Sequence, residues 1–402
     1  MKTLLTVLSM GMWSVSLVCL ENDLRSQIGA TVPGVAIVSE TRHSADIPEQ
    51  LKPYFTSPRE FDGDAGTFPS ALVSADGKPL RSAAEWPARR AEILATWHQM
   101  LGPWPELIAN PRLQVISTER RENFMQHRVH VAIYPGDRRA DGYLLVPDGP
   151  GPFPAVVVPF YEAATSVGLG QRGKGTHDYG YQLVRRGFVT LSIGTPGSID
   201  HPEKDTRQLL IDAGEEQRRQ PLSYLAYVAA NCHTVLANMP EVDCNRIGII
   251  GLSYGGKWAM FASCLYDKFA CAVWSDPGIV FNESNANVNY WEPWYLGFEP
   301  GTRRLAGIPN AERPRTGLYK QLFEAGRDLS ELHPLICPRP VLVSGGTEDP
   351  PANWRALNRV IEVNRLLGYE NRVAMTHRNT HIPTPEALEL ELMFLEHFLK
   401  AR

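Results

Sequence analysis

Gly251-Leu252-Ser253-Tyr254-Gly255 carries the strongest chemical signal in the chain, directly after the apolar run Ile247-Gly248-Ile249-Ile250. Small residues around a serine let a strand turn sharply into a helix, and the helix-compatible Gly256-Lys257-Trp258-Ala259 follows at once. Such a turn lifts the Ser253 hydroxyl above a sheet. It also aims the Tyr254 amide and the helix N-terminus at developing negative charge. The plainer reading is a strand-to-helix turn whose serine only caps the helix, and the strand–turn–helix context weighs against it.

A serine hydroxyl is a poor nucleophile until a base takes its proton and a third group orients that base. In chain order the acid should come next and the histidine last. The strand Pro340-Val341-Leu342-Val343-Ser344 feeds the loop Gly345-Gly346-Thr347-Glu348-Asp349, and Asp349 stands where a strand-end acid belongs. Glu348, one residue away, is its rival, and Asp349 is favoured. The histidine lies in Thr376-His377-Arg378-Asn379-Thr380-His381; His381, deeper in the loop and before Ile382-Pro383, is favoured over His377. A second oxyanion amide is expected on the loop leaving the strand at 154–158, at Phe160 or Tyr161.

These residues need a scaffold that brings strand ends together. Short apolar runs at 155–158, 188–193, 247–250, 272–274 and 341–343 suit strands covered on both faces. Helical stretches at 177–186, 222–239, 255–265, 353–367 and 386–399 alternate with them, so the fold class is α/β with a mainly parallel central sheet flanked by helices. Alternating segments at 129–134 and 143–146 open the sheet as antiparallel strands. Upstream, Ser82-Ala83-Ala84-Glu85 reads as a capping box before a helix over 86–100, ended by Gly102-Pro103.

Residues 279–330 interrupt the alternation, and Asn289-Tyr290-Trp291-Glu292-Pro293-Trp294-Tyr295 concentrates aromatic rings there. Tyr290, Trp291 and Trp294 are candidate sugar-stacking faces; the alternative is a satellite core beneath a lid. Arg303, Arg304, Arg313 and Arg315 could meet a carboxylated substrate or be solvated surface charge.

With 402 residues, 21 % charged side chains and a net charge of −4, the chain is neither disordered nor strongly basic, so nucleic acid is not an expected partner. No CxxC pair, HExxH or His-rich cluster supports a dedicated metal site, and serine chemistry needs no cofactor. Lys2 and the apolar run over 4–20, with Ser14-Val15-Ser16 as a small-x-small site, read as a signal peptide. The run is shorter than the roughly 20 residues of a spanning helix, so no stable membrane span is expected and the localisation is secreted or periplasmic. The divisions are 1–20 signal peptide, 21–110 loop-rich and helical extension, and 111–402 catalytic domain with the 279–330 insertion. Export would permit disulfides; Cys232 and Cys244 are the favoured pair, and five buried thiols are the alternative.

The order Gly-x-Ser-x-Gly, Gly-x-x-Asp, His resembles the α/β-hydrolase superfamily. Ser253-Tyr254-Gly255-Gly256-Lys257, with Trp86-Pro87-Ala88-Arg89-Arg90-Ala91-Glu92-Ile93, is similar to bacterial acetyl-xylan-esterase-like and dienelactone-hydrolase-like proteins over residues 75–400. The resemblance implies a serine ester hydrolase with Ser253 as nucleophile, Asp349 and His381 as partners, and an acylated or esterified carbohydrate as substrate. Glucuronoyl esterases share the layout but carry Arg directly after the nucleophile, where this chain has Tyr254. Dienelactone hydrolases use Cys where this chain has Ser253. Two other classes remain: a prolyl-oligopeptidase-like peptidase, for which the upstream segment is too short to build a propeller, and a binding module on an inactive hydrolase fold.

Overall fold

Nine strands form one sheet in the order β1-β2-β3-β5-β4-β6-β7-β8-β9 in the computed structural model, which describes residues 47–136, 138–170, 176–195 and 206–400. The signal-peptide reading at 1–20 and the start of the extension lie outside the described residues. Strands β1 (Leu113–Arg121), β2 (Phe124–Tyr134) and β3 (Arg138–Pro147) run antiparallel, and β3 pairs antiparallel with β5 (Val189–Ile193). From there the sheet is parallel through β4 (Phe153–Pro159), β6 (Val242–Leu252), β7 (Ala272–Ser275), β8 (Val341–Gly345) and β9 (Val373–His377). β5, β7 and β8 are buried along their whole length, as continuous apolar runs require. β1 escaped the sequence reading because its solvated edge position needs no apolar alternation, and most of its residues are exposed.

Alternate residues of β4 face two cores. Ala155 and Val157 pack with Leu225 of α5 (Pro221–Ala237) and Trp258 of α6 (Tyr254–Leu265). Val156 and Val158 pack with Tyr179 and Leu183 of α3 (Tyr179–Arg185) and with Phe394 and Leu395 of α9 (Pro385–Lys400). Each fully buried Val, Leu or Phe side chain here contributes roughly 1.5–3 kcal/mol. The remaining helices in chain order are α1 (Trp86–Leu101), α2 (Ala163–Ser166), α4 (Thr206–Gln217), α7 (Gly317–Glu324) and α8 (Trp354–Leu367). None of the described helices is long and apolar enough to cross a membrane.

The capping box forms, with Glu85 Oε2 accepting from the Ser82 amide at 2.8 Å. Its Ser82 caps a single 3₁₀ turn that leads into α1, whose Trp86, Ile93, Trp97 and Leu101 fall on one buried stripe. The extension is tied to α8: Asn358 donates to the Phe61 and Asp64 carbonyls at 2.7 Å each, and Arg359 to the Phe68 carbonyl at 2.7 Å. The expected Cys232–Cys244 bridge is absent, because Cys232 is a free thiol buried in α5. Cys244 is itself disulfide-bonded, so the alternative of five free thiols fails too.

Candidate active site

The turn at Ser253 requires its glycines. Ser253 takes φ 56° and ψ −113°, a strained conformation outside the regions open to most residues. A Cβ on Gly251 would lie 2.2 Å from the Gly255 carbonyl oxygen, and one on Gly255 would lie 2.2 Å from that of Pro159. Only hydrogens fit at either place, so β6 passes directly into α6 with Ser253 partly exposed at its N-terminus. The Ser253 amide donates to the Ser275 carbonyl at 2.8 Å, setting the serine backbone beside the end of β7.

Asp276 is the first residue beyond β7, with φ 48° and no solvent exposure. Its Oδ2 lies 2.8 Å from Nδ1 of His381, in the loop after β9. Its Oδ1 accepts from the amides of Gly346 at 2.6 Å, Asp349 at 2.9 Å and Glu348 at 3.2 Å. The Glu348 carboxylate meets the same His381 Nδ1 and accepts from the Thr347 hydroxyl at 3.0 Å. His377, the other candidate histidine, is exposed at the end of β9.

The structure therefore corrects the acid. Asp349 holds no contact with the imidazole; its carboxylate is buried and accepts from the amides of Ile279 at 2.6 Å and Gly278 at 2.8 Å, and from Asn353 at 2.8 Å. The β8 loop aims Asp349 inward, where it fastens the chain that follows Asp276. Glu348, the rival one residue earlier, points to His381. Asp276 was missed altogether, although Ser275-Asp276-Pro277 after the run at 272–274 carries the same strand-end signal that singled out Asp349.

Burial pushes the Asp276 carboxyl up to about 7, and the neighbouring carboxylates of Asp349 and Glu348 add to the rise against the hydrogen bond from His381. For Glu348 burial acts upward, but the hydrogen bond from His381 and the charge of that imidazole hold the group below the usual carboxylate range. Burial likewise works against charge on His381, yet its bonds to Asp276 and Glu348 prevail and lift the imidazole to about 9. Asp276, Glu348 and His381 place possible metal-ligand atoms within 4.8 Å of one another. Their polar atoms are directed at one another and at backbone amides, the arrangement that orients an imidazole.

Lys257, one turn into α6, is buried and donates to the Pro277 carbonyl at 2.5 Å. Its ammonium lies 4.6 Å from the Tyr290 ring centroid. Burial draws it down to about 8 while Asp349, Glu348 and Asp276 favour its charge.

Of the oxyanion candidates, Tyr254 opens α6, where a helix leaves its first amides without intrahelical acceptors. Its ring stacks on that of Tyr161 at 4.3 Å, and its hydroxyl is 3.0 Å from that of Thr195. Phe160 is corrected: its amide donates to the Ile193 carbonyl at 3.0 Å, continuing the pairing of β4 with β5.

The aromatic cluster is also corrected in large part. Tyr290 and Trp291 are buried in the core, with Tyr290 donating to the Pro277 carbonyl at 3.2 Å and Trp291 to Glu292 at 3.1 Å. They present no face for a sugar. Trp294 is buried in the same core at 9 % exposure, with one edge bordering a groove of about 750 Å³ shared with Arg207, Ile211, Glu215, Phe298 and Arg303, the Arg207 guanidinium 5.0 Å from a Trp294 ring. Arg304 is committed to Glu292 at 3.1 Å and to backbone carbonyls; Arg315 is committed to Glu283 at 2.5 Å.

No protein-family model and no curated protein matches this sequence. Solved structures do match. The chain is similar to a glucuronoyl esterase from Solibacter usitatus, with TM-score 0.64 and 17 % identity over 83 % of this chain and 97 % of that one. A promiscuous CE15 esterase from a marine bacterial metagenome matches with TM-score 0.61 and 16 % identity over 83 % and 97 %. A putative acetyl xylan esterase from Bacteroides fragilis matches with TM-score 0.53 and 15 % identity over 82 % and 86 %. The shared architecture is the α/β-hydrolase fold, as the motif order implied.

Proposed function

We propose that the protein is a serine carboxylic-ester hydrolase acting on esterified or acylated carbohydrate, exported from the cell that makes it. One observation carries the reading: a serine on a strained strand–helix turn has its backbone joined to the strand end that supplies Asp276, which is bonded to His381. His381 takes the Ser253 proton as the hydroxyl oxygen attacks the ester carbonyl carbon. Asp276 holds Nδ1–H, leaving Nε2 as the base and stabilising the imidazolium. The amides of Tyr254 and Tyr161 receive the oxyanion. Collapse of the tetrahedral intermediate expels the alcohol, which takes the proton from His381. Water then repeats the sequence on the acyl-enzyme and releases the acid.

The carbohydrate substrate rests on solved structures of the same fold, a glucuronoyl esterase and a putative acetyl xylan esterase among them. An acyl ester such as an acetate is favoured over a uronic ester, because the residue after the nucleophile is the buried Tyr254, engaged with Thr195. The test is a hydrolysis panel of p-nitrophenyl acetate, longer acyl esters, acetylated xylan and methyl glucuronate esters, with Ser253→Ala as control. A fluorophosphonate probe should label the native protein and not the variant. Retained hydrolysis in Ser253→Ala would remove the serine from its role, and preference for glucuronate esters would replace the acyl-ester assignment.

A further inference from the structure

Below the histidine loop lies a buried polar cluster that the reaction sequence does not use. Arg378, three residues before His381 and 7 % exposed, sends its guanidinium back under the site. One terminal nitrogen donates to the Ser344 carbonyl at 2.9 Å and to its hydroxyl at 2.8 Å, within β8. The other donates to the Ser275 hydroxyl at 3.2 Å, one residue before Asp276, and to the carbonyl of His381 itself at 2.6 Å. Glu391 of α9, fully buried, faces the guanidinium at 3.9 Å, with the hydroxyls of Tyr179, Ser275 and Ser344 around it.

We propose that Arg378 is the positioning residue of His381, a planar fork that fixes the imidazole-bearing loop against the strand ends that carry Asp276 and Glu348. The loop needs such a tie: Asn379, Thr380 and Ile382 are exposed, and the Thr380 hydroxyl bonds only locally, to the Ile382 carbonyl at 2.8 Å. A guanidinium suits the task because its donors are fixed in one plane and stay charged when buried. Glu391, on the helix that follows the loop, lies beside the guanidinium at 3.9 Å.

The inference rests on His381 as the base of the proposed reaction, and its test is chosen to stand apart from that reaction. Removing Arg378 alone would strand the buried Glu391, so the main variant is Arg378→Met with Glu391→Leu, which removes both charges together. Proton NMR of the folded protein reads the downfield proton on His381 Nδ1, identified by its loss in His381→Gln. The double variant should fold cooperatively and shift or broaden that resonance. Its kcat on p-nitrophenyl acetate should fall on the order of tenfold to a hundredfold, because a small misplacement of a reacting group is that costly. KM should change little, since ground-state binding is untouched. Arg378→Lys, which keeps the charge but loses the fork, makes the same comparison if the double variant does not fold. An unchanged Nδ1 resonance in the folded variant overturns the proposal whatever the turnover. Hydrolysis surviving in Ser253→Ala would overturn the esterase reading and leave the NMR comparison intact.

Discussion

His381 Nδ1 and Asp276 Oδ2 stand 2.8 Å apart across 105 residues of sequence, joined because β7 and β9 flank β8 and end on the same edge of the sheet. Glu348, from the intervening strand's loop, meets the same nitrogen. The histidine is thus held between two carboxylates of unequal setting: Asp276 accepts three backbone amides, and Glu348 a neighbouring hydroxyl.

Asp276→Asn should be the most damaging change among the acids, lowering kcat by about 10⁴, because an amide opposite Nδ1 favours the wrong imidazole tautomer. Glu348→Gln should cost less, since Asp276 still orients the ring. Asp349→Asn should leave the His381 contact in place and act on stability, by about 1–3 kcal/mol, through the Gly278 and Ile279 amides it receives. Steady-state kinetics with melting curves on the three variants checks the ranking. A catalytic loss largest for Asp349→Asn would return the role to that residue.

The pH profile follows from the two carboxylates. His381 must be neutral to act as a base, and it is lifted to about 9, so kcat/KM should rise with pH through that region. Glu348→Gln removes a negative neighbour of the imidazolium and should move the rising limb to lower pH. For stability, a folded-state value above the ordinary 6.5 gives a contribution fully present below about 6.5 and lost as pH rises through about 9. Melting temperature should therefore decline with pH across that window more steeply in the native protein than in His381→Gln.

Lys257→Met should destabilise by roughly 1–3 kcal/mol, because it removes the donor to the buried Pro277 carbonyl and a cation near Asp276, Glu348 and Asp349. Denaturant titration reads the effect directly, and an unchanged midpoint would show that the cluster does not need this charge.

Trp291→Ala and Trp294→Ala should separate core from groove. Trp291 is 1 % exposed, so its loss should cost about 3–5 kcal/mol and reduce activity on small and polymeric esters together. Trp294 borders the groove, and its replacement should weaken action on oligomeric substrate while sparing p-nitrophenyl acetate, which uses no remote contacts. Equal losses on both substrates for Trp294→Ala would remove the groove from substrate binding.

The sequence by itself determined the nucleophile turn, the buried parallel strands and the helix at 86–100, because each depends on local facts. A glycine either fits against a carbonyl or it does not, and an apolar run of strand length needs cover on both faces. The Ser253 turn and the His381 loop were legible for the same reason, since each directly follows a strand-like run. The acid was not. Asp276, Glu348 and Asp349 all follow strand ends, and which carboxylate reaches the imidazole depends on how the loop after β8 folds over the end of β7. A shift of one residue reverses whether a side chain faces the histidine or the interior. Nor could Tyr290 and Trp291 be told from stacking faces by composition, since the same rings serve a core or a groove. Packing beneath the 279–330 segment, with Glu292 and Arg304 paired inside it, decided that.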